Sequence, residues 1–363
     1  MPIRLTLQGL MAILVGAMIS AGAEGESTRR VPAEWEPQEA IWMQWPGPYE
    51  KSYETAFARI TNVIARYETL HILHSGPAIA ESARRVITRE GGNPDHPNIT
   101  WHAVASDSAW MRDNGPVWVI DNGTLFVQDW EFDAWGGAFG SQIPYALDDR
   151  IPIEVARITG LPHESVTIVH ERGNLEFNGR DTVMLNWSVI GDPRRNADYT
   201  REKAEADLKA HFGVSKVVFI DGVPDGDLTN GHIDGIARFI DHDTVVVARC
   251  TDSAGCPATT SEVFENAAET IAAAGFTVIR DPVDTAVVHR GMTFRANYMN
   301  WLVGNGFVIT TGFGHAEADE AARQRLETYF PGRDTYVIEM LDSWAAGGGV
   351  HCHTNDQPAF PDS

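Results

Sequence analysis

The chain has 363 residues, 43% of them hydrophobic, enough for a substantial buried core, and it carries no low-complexity tract that would read as long disorder. It holds 28 Lys and Arg against 50 Asp and Glu, a formal net charge of −22. The basic surface that nucleic-acid binding requires is missing, and a field of this sign favours cationic small molecules over polyanions.

The first residues read as an export signal. Arg4 supplies a positive start, residues 10–19 are an apolar run, and Ala21-Gly22-Ala23 is a small-x-small cleavage pattern. The run is short for a membrane span, and no later segment has the length for one. Residues 1–23 are therefore expected to be removed, which leaves residues 24–363 as a single domain of a secreted or periplasmic protein without stable membrane insertion.

Beyond the signal, short β-rich runs alternate with helical patterns. In chain order the periodicity predicts helix over 81–90, strand over 166–169, helix over 201–212, strand over 217–220 and 244–248, helix over 261–274, strand over 307–310 and helix over 317–330. In the helix over 201–212, Ala204, Leu208 and Phe212 fall on one face and Thr200 is the expected N-cap. This alternation means an α/β fold. A GxGxxG motif after a first strand is lacking, as is a P-loop motif, which weakens nucleotide-binding readings. No internal repeat and no linker-like shift in composition is visible, which again indicates one domain.

Three cysteines are present, Cys250, Cys256 and Cys352. In an oxidising compartment an odd count leaves one thiol free. Cys250 and Cys256 flank a short polar loop and are expected to pair, so Cys352, in a glycine-rich and histidine-flanked setting, is the unpaired one.

Five segments combine Gly or Asn with side chains able to do chemistry. Residues 110–116, Trp-Met-Arg-Asp-Asn-Gly-Pro, read as a turn that displays the Asp113 carboxylate. In residues 170–176, Glu171 stands at the end of an apolar strand, where α/β proteins place their sites. Residues 230–235 hold His232 and Asp234, which an extended backbone would point to one side. Such a pair suits either a metal site or a general base beside an acid. Residues 297–301, with Asn300, by themselves suggest only aromatic core packing. Residues 347–354 put Cys352 between His351 and His353. In a regular strand the two imidazoles would face away from the thiol, so one ion could not be held by all three without a bend. A thiol near imidazole also suits nucleophilic catalysis. Taken together, a free Cys, a His with an acid two residues on, and further carboxylates point to a cysteine nucleophile, a general base and a planar cation held by bidentate hydrogen bonds. A guanidinium is such a cation.

These motifs resemble the family of agmatine deiminases and bacterial, Porphyromonas-type peptidylarginine deiminases within the guanidine-modifying superfamily. The resemblance covers nearly the whole mature chain, in order: Val-Pro-Ala-Glu-Trp-Glu-Pro-Gln-Glu-Ala at 31–40, residues 110–116, Phe-Asp-Ala-Trp-Gly-Gly at 132–137, Gly-His-Ile-Asp at 231–234, the segment at Asn300, and Gly-Gly-Gly-Val-His-Cys at 347–352. It implies a five-bladed α/β propeller (pentein) of ββαβ-type units around a central site, and hydrolytic deimination without metal or organic cofactor. Agmatine, giving N-carbamoylputrescine and ammonia, is the expected substrate. An exported deiminase of free arginine or arginyl peptides, giving citrulline, is the alternative.

Carried over residue by residue, Cys352 is the nucleophile, His232 the general acid and base, and Glu171 the acid beside it. Asp113 and Asp234 would grip the guanidinium, with Trp110 and Asn300 as further substrate contacts. Two departures stand near the site. The usual Glu-Gly-Gly-Asn is here Glu171-Arg172-Gly173-Asn174, and residues 353–358 read His-Thr-Asn-Asp-Gln-Pro where Ile-Thr-Gln-Gln-Gln-Pro is typical. Arg172 thereby becomes a candidate contact for a substrate carboxylate. Two other classes stay open, a non-catalytic binder of cationic guanidines and a metal-dependent hydrolase built on the His-rich segments.

Overall fold

Five of the sheets share one wiring: a first strand antiparallel to a second, and the second parallel to a third. The computed structural model describes residues 29–140 and 142–360, so the expected export signal lies outside the described residues. Four three-stranded sheets follow the rule. They are Val117–Asp121, Thr124–Glu131 and His163–Val169; Glu176–Phe177, Thr182–Asn186 and Lys216–Ile220; Ala237–Phe239, Thr244–Cys250 and Thr277–Val283; and Leu302–Gly304, Phe307–Gly312 and Asp334–Glu339. In the fifth, the C-terminal strand Thr354–Pro358 runs antiparallel to Gln38–Gln44, which is parallel to Thr69–His74, with Ile99–Ala103 at the edge. The two ends of the chain are thus hydrogen-bonded into one sheet. The hairpin Ala286–His289 and Met292–Arg295 forms a separate two-stranded sheet.

Parallel neighbours need a crossover, and helices supply it. Ile151–Thr159, Arg201–Phe212, Ala258–Ala273 and Ala316–Tyr329 each bridge the second and third strands of one sheet; in the fifth Glu54–Ile64 does so, and Pro77–Arg89 bridges the third strand and the edge strand. The α/β class is therefore as expected. Arg201–Phe212 shows how little apolar surface suffices. Its buried residues are Ala204, Leu208 and Phe212, Thr200 Oγ1 accepts from the Lys203 amide at 3.3 Å, and Gly213 ends it in a left-handed conformation at φ 71°. Phe212 stacks on Trp130 with ring centroids 5.3 Å apart. Each such fully buried side chain stabilises by about 1.5–3 kcal/mol.

The expected helices and strands are present, with ends moved by one to four residues and the strand at 166–169 beginning at His163. Cys250 and Cys256 are disulfide-bonded, their Cα atoms 6.1 Å apart, and Cys352 is free and buried. Among the described residues no helix is long and apolar enough to cross a membrane.

Three local expectations are corrected. Residues 111–114 are a short helix, Met111–Asn114, buried throughout, and not a surface turn. His232 and Asp234 do not lie along an extended segment, because a 3-10 turn, Ile233–Gly235, begins between them. Residues 351–353 also form a 3-10 turn, so the two histidines are not paired on one strand face.

Candidate active site

Every residue that the sequence nominated for the site sits in the connection just before the first strand of a sheet. Asp113 precedes Val117–Asp121, Glu171 precedes Glu176–Phe177, and His232 with Asp234 precedes Ala237–Phe239. Asn300 precedes Leu302–Gly304, and Cys352 precedes Thr354–Pro358. The five sheets each send one such connection to a common point.

At that point Cys352 Sγ lies 3.6 Å from Asp234 Oδ2 and 3.2 Å from Asn300 Nδ2. Asn300 Nδ2 also donates to Asp234 Oδ2 at 3.0 Å, and the His351 amide donates to Asn300 Oδ1 at 3.0 Å. Both ends of this amide are therefore engaged. His232 stands between two acids, with Nδ1 3.5 Å from Asp113 Oδ1 and Nε2 3.6 Å from Glu171 Oε2. The outer oxygens are held from behind: Trp135 Nε1 donates to Asp113 Oδ2 at 2.9 Å, and Arg195 Nε to Glu171 Oε1 at 2.8 Å. The inner oxygens, Asp113 Oδ1 and Glu171 Oε2, and both His232 nitrogens are buried with no hydrogen bond inside the protein. Buried polar atoms of this kind are few in folded proteins and mark functional positions.

Glycine makes the close approach possible. A Cβ on Gly173 would stand 2.5 Å from Asp113 Oδ1 and 2.7 Å from His232 Nδ1, and one on Gly348 would stand 2.5 Å from Cys352 Sγ.

The charges are set by burial against neighbours. Burial disfavours a charged His232, but Asp113, Glu171 and Asp234 outweigh it and raise its pKa to about 9. Burial also raises Asp113, to about 6, with His232 opposing and Asp234 adding to the rise. For Glu171 burial is overcome by Arg195, His232 and His170, which hold the carboxyl at about 2. Asp234 is likewise lowered against burial, by His351, His232 and Arg238. Burial, Asp234 and Asp113 push the Cys352 thiol well above its ordinary value. The free site is thus a protonated thiol beside an imidazolium ringed by acids.

A cavity of about 580 Å³ reaches the thiol. His232, Asp234, Asn300 and Cys352 line one part of it; Leu228, Phe264, Met292 and Trp344 are among its apolar walls. Arg295 also lines it; its Nη2 donates to the Gly255 carbonyl at 2.6 Å, and its buried Nε has no partner.

Asn300, whose own segment suggested only packing and which the resemblance made a substrate contact, lies 3.2 Å from the thiol. Trp110 stands behind the thiol, stacked on His353 at 4.2 Å and edge-on to Trp135 at 6.2 Å. Arg172 is corrected. Its Nη1 and Nη2 grip Asp356 at 2.7 and 3.0 Å, a buried pair that Arg112 joins, and the fork is therefore spent inside the protein. The same-side pairing of residues 232 and 234 does not form, since His232 faces Asp113 and Glu171 while Asp234 faces Asn300, His351 and Cys352. Trp135, Arg195, His351 and Arg295 were missed. Trp135 lies in the Phe-Asp-Ala-Trp-Gly-Gly motif, and His351 touches the cysteine in sequence. Nothing local marks Arg195 or Arg295.

The chain is similar to known proteins over most of its length. The family model for Porphyromonas-type peptidyl-arginine deiminase matches residues 30–358. An agmatine deiminase of Pseudomonas syringae pv. tomato is 30% identical, with 91% of this chain and 95% of that protein covered; one of Pseudomonas putida is 31% identical over the same shares. Among solved structures, agmatine deiminase of Enterococcus faecalis has TM-score 0.80 and 25% identity over 93% of this chain and 98% of that one. A Campylobacter jejuni agmatine deiminase with substrate bound has TM-score 0.81 at 20% identity, covering 92% and 97%, and shows the same fold. The chain belongs to the Porphyromonas-type peptidyl-arginine deiminase family and is a C–N hydrolase acting on a guanidino group.

Proposed function

We propose that this protein deiminates a small guanidine through a covalent thiouronium on Cys352. The observation that carries the reading is the convergence of buried, unpartnered Asp113 and Glu171 oxygens and His232 nitrogens beside a free thiol. Carboxylates beyond those a cysteine–histidine pair needs are explained by a planar cation that donates paired N–H bonds to their lone pairs.

A guanidinium seated between Asp113 and Asp234 brings its central carbon to Cys352. The incoming positive charge offsets the acids that hold the thiol protonated, and the thiol proton passes to solvent water. The thiolate attacks carbon, giving a neutral tetrahedral adduct. His232, charged in the free site, gives its proton to one amino nitrogen, the C–N bond breaks and ammonia departs. The amidinium thioether that remains is attacked by water, whose proton returns to His232. Collapse breaks the C–S bond, the hydroxyl proton passes to the departing sulfur and restores the thiol, and a ureido product is released. Acid–base assistance of this kind is worth about 10²–10⁴-fold.

Agmatine is the substrate that the names of the relatives favour. One observation favours a second reading: Arg295 places an uncompensated guanidinium on the cavity wall, which suits the carboxylate of arginine and has no role toward agmatine. The five sheets of common wiring are read as the blades of a propeller, and residues 1–23 as the signal of a secreted or periplasmic enzyme. Ammonia and ureido release from agmatine, free arginine, an arginyl peptide and guanidinobutyrate, by wild type and Cys352→Ala, tests the reading. Turnover surviving in Cys352→Ala would remove the covalent mechanism.

A further inference from the structure

His351 lies between two carboxylates on the far side of the thiol. Its Nδ1 is 2.8 Å from Asp234 Oδ2 and its Nε2 is 3.0 Å from Glu34 Oε2. Two contacts at these distances need two protons. Ionised carboxylates bring none, and a neutral imidazole brings one. A bare lone pair facing a carboxylate oxygen at such a distance is repulsive, and this ring is buried where nothing screens it. We propose that Asp234, His351 and Glu34 act as one unit holding a proton beyond those the three groups would carry separately at neutral pH, and that this proton positions Asp234 and limits the negative charge facing Cys352.

Two arginines and several fixed donors surround the unit. Arg238 donates to Glu34 Oε2 at 2.6 Å and to Glu176 at 3.0 Å. Arg112 Nε donates to the His351 carbonyl at 3.2 Å and its Nη1 to Asp356. The Val303 amide donates to Glu34 Oε1 at 2.7 Å. On the thiol side stand Cys352 and Asn300, with His232 and Asp113 beyond. Burial, Arg112 and Arg238 push the ring's own pKa well below its ordinary value against the pull of Asp234, so it is the two short contacts, and not the ring's own affinity, that require the proton. The count of protons is the same whichever of the three groups is their seat. Because the contacts of Asp234 gather on Oδ2, the unit also fixes how the other oxygen is presented to substrate.

The inference rests on Cys352 as the nucleophile but is tested without turnover, through alkylation of the thiol by iodoacetamide as a function of pH. With the extra proton, the unit has net charge −1. Glu34→Gln supplies an amide donor to a neutral His351 and keeps that charge, whereas His351→Gln leaves two carboxylates and −2. The alkylation midpoint should therefore rise by about one pH unit or more in His351→Gln, remain near wild type in Glu34→Gln, and return toward wild type in the double variant. If the ring were neutral between two ionised acids, the pattern would invert: Glu34→Gln would lower the midpoint and His351→Gln would leave it unchanged. That inversion would overturn the proposal. Should either variant fail to fold, ¹H NMR of ¹⁵N-histidine-labelled wild type decides, with two slowly exchanging protons on the His351 contacts expected and a single one refuting it. Loss of guanidine turnover in wild type would sink the proposed function and leave this proton count standing.

Discussion

Arg195 Nε donates to Glu171 Oε1 at 2.8 Å, and neither side chain has any solvent exposure. Arg195 also donates to the Thr229 carbonyl at 3.1 Å, three residues before His232, and pairs with Asp192 at 3.3 Å. One guanidinium therefore fixes the acid on one side of the imidazole and the loop that carries the imidazole itself. The first consequence is that Arg195→Met should lose both stability and rate. Removing one partner of a buried pair costs about 3–5 kcal/mol. Thermal unfolding and kcat on the folded fraction measure the two effects, with kcat expected to fall about 10²-fold or more. A variant that melts early but turns over normally would reduce Arg195 to a structural role.

The pH dependence follows from two groups in the site. Asp113, raised to about 6, must be ionised to hold a cation, so kcat/KM should fall as pH drops through about 6. His232, raised to about 9, must be charged to protonate the leaving nitrogen, so activity should fall again as pH rises through about 9. The stability sign runs the same way for His232: a raised pKa contributes fully below about 6.5 and is lost as pH climbs through about 9. Glu171, depressed to about 2, contributes above about 4.5 and is lost as pH falls through about 2. Activity across pH 4 to 10 and melting temperature across pH 2 to 10 test both, and an activity profile flat between pH 5 and 7 would contradict the assigned role of Asp113.

Gly173→Ala should abolish most activity with only modest change in the melting temperature. Its Cβ would meet Asp113 Oδ1 at 2.5 Å and His232 Nδ1 at 2.7 Å, both in the site. Moving either by a fraction of an ångström separates the imidazole from its acid, and misplacement of this order costs about 10²-fold in rate. Gly179→Ala serves as the control outside the site, since its Cβ meets Glu36 and Ala33. Equal activities for the two variants would mean that close packing at Gly173 has no catalytic consequence.

Arg172 and Arg295 should separate cleanly. Arg172 is bound to Asp356 at 2.7 and 3.0 Å, so Arg172→Met should lower the melting temperature and leave the ratio of kcat/KM for arginine over agmatine unchanged. Arg295→Gln should reduce that ratio by about tenfold or more, the worth of one charge-assisted contact at 1.5–3 kcal/mol, roughly. A ratio that moves with Arg172 and not with Arg295 would reverse the assignment.

Read alone, the chain nominated candidate groups because each lies in a short motif whose composition is unusual. Cys352, His232, Glu171, Asp113 and Asp234 were nominated in this way and the fold brings them together, and the Cys250–Cys256 pairing, closed over a separation of 6 residues, was legible too. The α/β class was legible because strands and helices have local periods. What the chain could not disclose is the common wiring of five sheets, since their strands share hydrogen-bond pattern and not residues; no repeat is visible in the amino acids. Nor could it place Arg172, whose partner is 184 residues away, or His351, which reaches Asp234 across 117 and Glu34 across 317. The turns at 233–235 and 351–353 were misjudged for the same reason. A local pattern favours extended backbone there, but the hydrogen bonds that decide the conformation come from Asn174, Asn300 and Thr311, each more than 35 residues distant, and only the packed sheets bring those donors and acceptors to the chain.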